Sequence, residues 1–135
     1  MKGRIAMVGR LIRVMIAGVL VFTVAGTTNA FAKDGDVIRQ GSCSGSSDWK
    51  LKLSPENGKI EVEYEVDSNK VGQHWRVKLF ENGNRIFRGT KTTQGASGSF
   101  TVRTLANNTA GSDSFRAHAR NLAGGETCGG AASIG

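Results

Sequence analysis

The sequence predicts an all-β domain, a single two-sheet sandwich of about seven strands. Three observations predict it. Short runs in which apolar and polar residues alternate recur along the chain, separated by turn residues at sandwich spacing. Period-two alternation marks a half-buried strand, and no segment after residue 32 carries a helical period. The chain holds 19 glycines, one proline and two cysteines, with no internal repeat.

Residues 1–32 read as a secretory signal peptide rather than as part of the fold. Lys2, Arg4, Arg10 and Arg13 form a positive n-region. Residues 14–24 (VMIAGVLVFTV) form an apolar core of h-region length, short for a bilayer span, and Ala30-Phe31-Ala32 is an A-x-A cleavage site. An N-terminal membrane anchor is the competing reading, and the length argues against it. No cysteine follows the apolar core directly, which argues against a lipoprotein. No later stretch is apolar enough to span a membrane after cleavage. The expected product is a secreted bacterial protein, extracellular or periplasmic where the host has an outer membrane.

The segment also changes the charge. The whole chain carries +7 with a pI near 9.9. Residues 1–32 hold four of its bases and no acid, so the remaining 103 residues carry 14 bases against 11 acids, or +3. Much of the high pI is therefore a targeting signal, and no specific nucleic-acid partner is inferred from it. The remaining length suffices for one compact domain.

Residues 33–47 are an N-terminal segment containing Cys43, with a short extra strand over 37–42 compatible with the pattern. The sandwich is expected over 48–135. Its first strand, 48–54, places Trp49, Leu51 and Leu53 on one face. Pro55-Glu56-Asn57-Gly58 is a turn signal. Residues 59–66 turn Ile60, Val62, Tyr64 and Val66 inward and Glu61, Glu63 and Glu65 outward. Residues 74–80 turn Trp75, Val77 and Leu79 inward. Asn82-Gly83 is the centre of a two-residue hairpin returning as 85–91. Residues 98–105 turn Phe100 and Val102 inward, and 113–121 do the same with Phe115, Ala117 and Ala119. Gly124-Gly125 then sends the chain back as a final strand, 126–134, carrying Cys128.

In an exported chain the pair Cys43 and Cys128 is expected to form a disulfide. Two free thiols or metal ligands are the alternative, although nothing supplies the further soft ligands a metal site wants.

The strand order resembles an immunoglobulin-like β-sandwich, and the chain is similar to small exported bacterial domains of unassigned function. Trp75 matches the core tryptophan of that fold's strand C, and SFTVRTL (99–105) matches strand E. Asp113, Phe115, Ala117, Ala119, Asn121 and Gly124 match the strand F pattern in order. Two departures stand out. Phe115 replaces the corner tyrosine, and Ala117 replaces the strand F cysteine, whose partner is expected near Val62 or Tyr64. The resemblance implies sheets A-B-E and C′-C-F-G. It also implies that a Cys43–Cys128 bridge would tie the N-terminal segment to strand G.

Under that arrangement the two outer faces differ. Glu61, Glu63 and Glu65 lie between Lys50 and Lys52 on one side and Thr101 and Arg103 on the other, a self-neutralised surface. A catalytic carboxylate cluster is the sharper reading, but it needs a pocket. On the other sheet, strand C turns out His74, Arg76, Lys78 and Phe80, and strand F turns out Arg116, His118 and Arg120. A hairpin pairing Lys78 with Phe87 and Phe80 with Arg85 adds Arg85 and Phe87. This basic, partly aromatic face with no acid is the candidate binding site, suited to an anionic protein, a cell-surface polyanion or lipid headgroups. An ordinary solvated face is the plainer alternative. His74 and His118 lie on adjacent strands, yet a metal would want a third ligand and no arginines around it.

Enzyme motifs are absent: there is no GxSxG, HExxH, P-loop or CxxC. No catalytic residue, metal or cofactor is assigned. The expected function is a secreted, non-catalytic interaction module. A carrier of a small apolar ligand, or a structural homodimer through the same sheet, is the alternative.

Overall fold

The computed structural model describes residues 32–135. The expected signal peptide lies, but for its last position, outside the described residues. Nine strands run in order: β1 (Val37–Ser42), β2 (Asp48–Glu56), β3 (Lys59–Asp67), β4 (His74–Glu81), β5 (Asn84–Thr92), β6 (Ser99–Asn107), β7 (Asp113–Asn121), β8 (Thr127–Cys128) and β9 (Ala131–Ile134). They form an all-β sandwich of two antiparallel sheets. The first has the order β1-β2-β3-β6. The second has the order β5-β4-β7-β8, with β9 also pairing with β7.

The alternating residues build the core between the sheets. Leu51 and Leu53 of β2, Ile60, Val62, Tyr64 and Val66 of β3, and Val102 of β6 face Trp75, Val77 and Leu79 of β4 and Phe115 and Ala119 of β7, all fully or almost fully buried. Burial of each large side chain stabilises the fold by about 1.5–3 kcal/mol. Trp75 also packs against Phe100 with ring centroids 6.2 Å apart. Tyr64 is buried, and its hydroxyl donates to the carbonyl oxygen of Gly129 at 2.7 Å.

Three strand features bear on expectation: two boundaries depart from it, and β1 meets it. First, the turn between β2 and β3 is narrower than the four residues expected. Only Asn57 and Gly58 form it, with φ of 47° and 76°, the pattern of a two-residue type I′ hairpin. Pro55 lies inside β2, opposite Ile60. It is tolerated there because β1 pairs only as far as Leu53, so the missing N–H removes no bond to β1. Second, β1 forms over the segment where an extra strand was compatible with the pattern, making the stretch that leads to Cys43 an edge of the first sheet. Third, the expected single strand over 126–134 is two strands broken at Gly129-Gly130. At Gly130 a side chain would meet the ring of Trp49 at 3.2 Å, so the break lets Trp49 lie across the backbone.

Cys43 and Cys128 are joined by a disulfide spanning 85 positions. In the chain-entropy model a loop of that length contributes roughly 4–5 kcal/mol. Hydrogen bonds surround the bridge. Ser44 N donates to Thr127 O at 2.8 Å, Thr127 N donates to Ser44 Oγ at 2.9 Å, and the Ser47 hydroxyl donates to Glu126 at 2.7 Å. Such a bond belongs to oxidising compartments. No helix of the described residues is long and apolar enough to cross a membrane.

Candidate functional site

The outer face of the second sheet is built by strict alternation. Along β7 every second side chain is buried, leaving Ser114, Arg116, His118 and Arg120 exposed. On β4, Trp75, Val77, Leu79 and Glu81 are buried, and His74, Arg76, Lys78 and Phe80 take the other side. The β4–β7 register sets Arg76 opposite Arg120, Lys78 opposite His118 and Phe80 opposite Arg116. The Arg116 guanidinium carbon lies 5.9 Å from the centroid of the Phe80 ring. A cation over an aromatic face at that distance stabilises by about 0.5–1 kcal/mol at an exposed site.

The hairpin to β5 corrects one predicted residue and adds another. Asn82 and Gly83 form the expected two-residue turn, with φ of 49° and 81°. Phe80 pairs with Arg85 as expected. The register then shifts between Leu79 and Phe80, and Ile86 is the extra residue on β5. Beyond the shift Leu79 pairs with Phe87, and Lys78 pairs with Arg88 rather than with Phe87. Phe87 thus falls on the inner face, packed against the core and over Gly89. It does not belong to the basic face, and Arg88 takes its place. No local signal in the sequence marks the bulge, so alternation alone does not bring Arg88 to this face.

The face therefore carries three cross-strand rows: Arg85–Phe80–Arg116, Arg88–Lys78–His118 and Thr90–Arg76–Arg120. The ion pairs among the described residues are Lys33–Glu56, Lys52–Asp36 and Arg103–Glu63, none of them here. Glu81 of β4 points into the core side, and Glu126 is turned to Ser47. Arg76 faces Arg120, and Lys78 faces Arg88, without an intervening carboxylate. Like charges directly opposite on a sheet are destabilising. The first sheet does the reverse. Glu63 lies between Lys52 and Arg103, and the Arg103 Nε donates to Glu63 Oε2 at 3.0 Å.

His74 and His118 are not brought together. The Arg76–Arg120 row lies between them, and four strand positions correspond to about 13 Å. His74 Nδ1 instead contacts Thr92 Oγ1 at 3.0 Å.

The two ends of the face differ. At the Phe80 end, a cleft of about 350 Å³ is lined by Phe80, Gly83, Ser114 and Arg116. Below it Glu81 is buried with Oε1 lacking a hydrogen-bond partner. Burial, and then the negative charge of Asp113, push the Glu81 carboxyl above its ordinary range. Asp113 is held low by hydrogen bonds from the Thr109 hydroxyl and the Asn82 amide. At the His74 end, a cleft of about 520 Å³ is lined by Gly72, Gln73, His74, Thr90, Leu122 and Ala123.

No protein-family model, curated protein or solved structure matches the chain.

Proposed function

We propose that this chain is a secreted, non-catalytic binding module that engages an anionic partner through the β5-β4-β7 face. One observation carries this: Arg76, Lys78, Arg85, Arg88, Arg116 and Arg120 share a face without an ion pair or a carboxylate among them. Like-charged neighbours cost stability in the free protein, and an anionic partner converts that repulsion into attraction. Phe80, with Arg116 over its ring, gives the face an aromatic contact as well.

The partner is an anionic protein, a cell-surface polyanion or a surface of lipid headgroups, bound without cofactor or metal. The signal-peptide pattern and the disulfide both fit an exported bacterial protein. The strand order is compatible with an immunoglobulin-like domain in which Ala117, and Val62 or Tyr64, stand where the central cysteines are expected. Homodimerisation through this face is disfavoured, because two copies would oppose cation to cation.

Retention on immobilised heparin, used as a generic polyanion, tests the proposal. Arg76→Glu/Arg116→Glu/Arg120→Glu should abolish retention while leaving the melting temperature near that of the parent. Retention unchanged by the triple reversal would remove this face from consideration.

A further inference from the structure

We propose that the anionic partner is a lipid bilayer surface rich in anionic headgroups, entered at the His74 end of the face by two apolar loop tips, Val71 and Leu122. This rests on the anion-binding reading above and narrows it to one partner class.

The tips are placed for it. The described residues expose four large hydrophobic side chains. Ile38 and Leu105 lie on the first sheet. The other two, Val71 (66% exposed) and Leu122 (46%), precede β4 and follow β7. Both segments meet at one end of the second sheet: Leu122 N donates to His74 O at 2.9 Å, and Gly72 N donates to Thr93 O at 2.8 Å. The 520 Å³ cleft lies against both, lined by Gly72 and Gln73 from one segment and Leu122 and Ala123 from the other.

The Leu122 turn is held in shape. The side-chain oxygen of Asn121, itself buried, accepts from Ala123 N at 3.0 Å and Gly124 N at 3.3 Å. Gly125 N donates to Asn121 O at 2.9 Å. The turn therefore presents Leu122 to solvent rather than folding it back.

Cations begin one row below. Thr90, which lines the cleft, is opposite Arg76, and Arg76 is opposite Arg120. The Arg120 guanidinium reaches to 3.8 Å from the side-chain position of Gly125, in the same turn as Leu122. Two strand positions separate His74 from Arg76, about 7 Å along β4. That matches the depth, about 5–10 Å, over which a peripheral element passes from headgroups to acyl chains. A soluble polyanion would satisfy the cations and leave Val71 and Leu122 in water. A bilayer surface satisfies both. Two small apolar tips alone give only weak anchoring, so both signals are needed.

Co-sedimentation with vesicles tests this, using protein expressed from the whole chain with the Cys43–Cys128 bridge intact. Vesicles of phosphatidylcholine with about a third phosphatidylglycerol are compared with phosphatidylcholine alone, and heparin retention is measured in parallel. The parent should partition onto the anionic vesicles only. Val71→Ser/Leu122→Ser should weaken that partitioning about tenfold or more while leaving heparin retention intact. Arg76→Glu/Arg120→Glu should weaken both. Heparin retention without vesicle binding overturns the lipid inference and leaves the broader proposal standing, with a soluble polyanion or acidic protein as partner. Binding undiminished by the serine pair, or equal on neutral vesicles, also overturns it. Failure on both heparin and vesicles overturns both proposals.

Discussion

The Tyr64 hydroxyl on β3 reaches through the core to the main-chain carbonyl of Gly129, between β8 and β9, at 2.7 Å. One side-chain hydrogen bond thus joins the first sheet to the second at the break in the final strand. Burial pushes the phenol well above its ordinary range, which keeps it a proton donor at neutral pH. Tyr64→Phe removes that donor while keeping the ring. It is expected to lower the unfolding free energy by about 1–3 kcal/mol, read from the urea midpoint at constant slope. An unchanged midpoint would show that the carbonyl is satisfied in another way.

Glu81 sets a pH dependence whose sign follows from its surroundings. Its carboxyl is pushed up by burial first and by Asp113 second, from an ordinary value of 4.5. A raised acid favours the folded state when protonated. Its stabilising contribution is full below pH 4.5 and is lost as pH rises through the elevated folded value. Glu81→Gln should therefore raise stability at pH 7 and flatten this part of the pH profile. Asp113 acts in the opposite sense. Its contribution is present above its ordinary value of 3.8 and is lost as pH falls through its lowered folded value. Denaturation midpoints from pH 2 to pH 8 for the parent, the Gln variant and Asp113→Asn check both signs. A Gln variant less stable than the parent at pH 7 would contradict the assignment.

Removal of the Cys43–Cys128 bridge, by reductant or as Cys43→Ser/Cys128→Ser, should cost about 4–5 kcal/mol. In a domain of this size that corresponds to a fall in thermal midpoint of about 20 °C or more. Calorimetry with and without reductant measures it. A fall of only a few degrees would mean that the backbone bonds around Ser44 and Thr127 hold the two segments together unaided.

The register of the β4–β5 hairpin makes two neighbouring residues act differently. Arg88→Glu should weaken heparin retention as much as Arg76→Glu does, with little change in stability. Phe87→Ala should leave retention intact and lower stability by about 1–3 kcal/mol, less than a fully buried phenylalanine would. The reverse pattern would put the bulge elsewhere.

That hairpin also marks how far the sequence can be read. The limits of β7 follow from alternation alone, because Asp113 to Asn121 switch between buried and exposed without interruption. The Trp75, Val77 and Leu79 face is legible for the same reason, whereas alternation alone does not divide the strands between two sheets. What alternation cannot carry is phase across a turn. Asn82-Gly83 fixes the first pairs beside it, and one extra residue, Ile86, then exchanges the faces of Phe87 and Arg88. The exposed tips were illegible for a different cause. Val71 and Leu122 lie in non-repeating segments, where hydrogen bonds donated to the Asn121 side-chain oxygen and to the Thr93 carbonyl decide direction and periodicity says nothing. Pro55 misled locally, since its place in β2 depends on where β1 stops pairing.

The staple has a mechanical consequence. Tension applied to the backbone on either side of Cys43 and Cys128 passes from sulfur to sulfur and bypasses everything between them. The ladders inside the loop then carry none of the load: only β1 and β9, which lie outside it, can peel from β2 and β7, and the span between the two cysteines stays fixed. Once the bridge is reduced, the same 85 positions can be drawn out to about 300 Å, so the redox state of one bond decides whether the domain transmits a pull or yields to it.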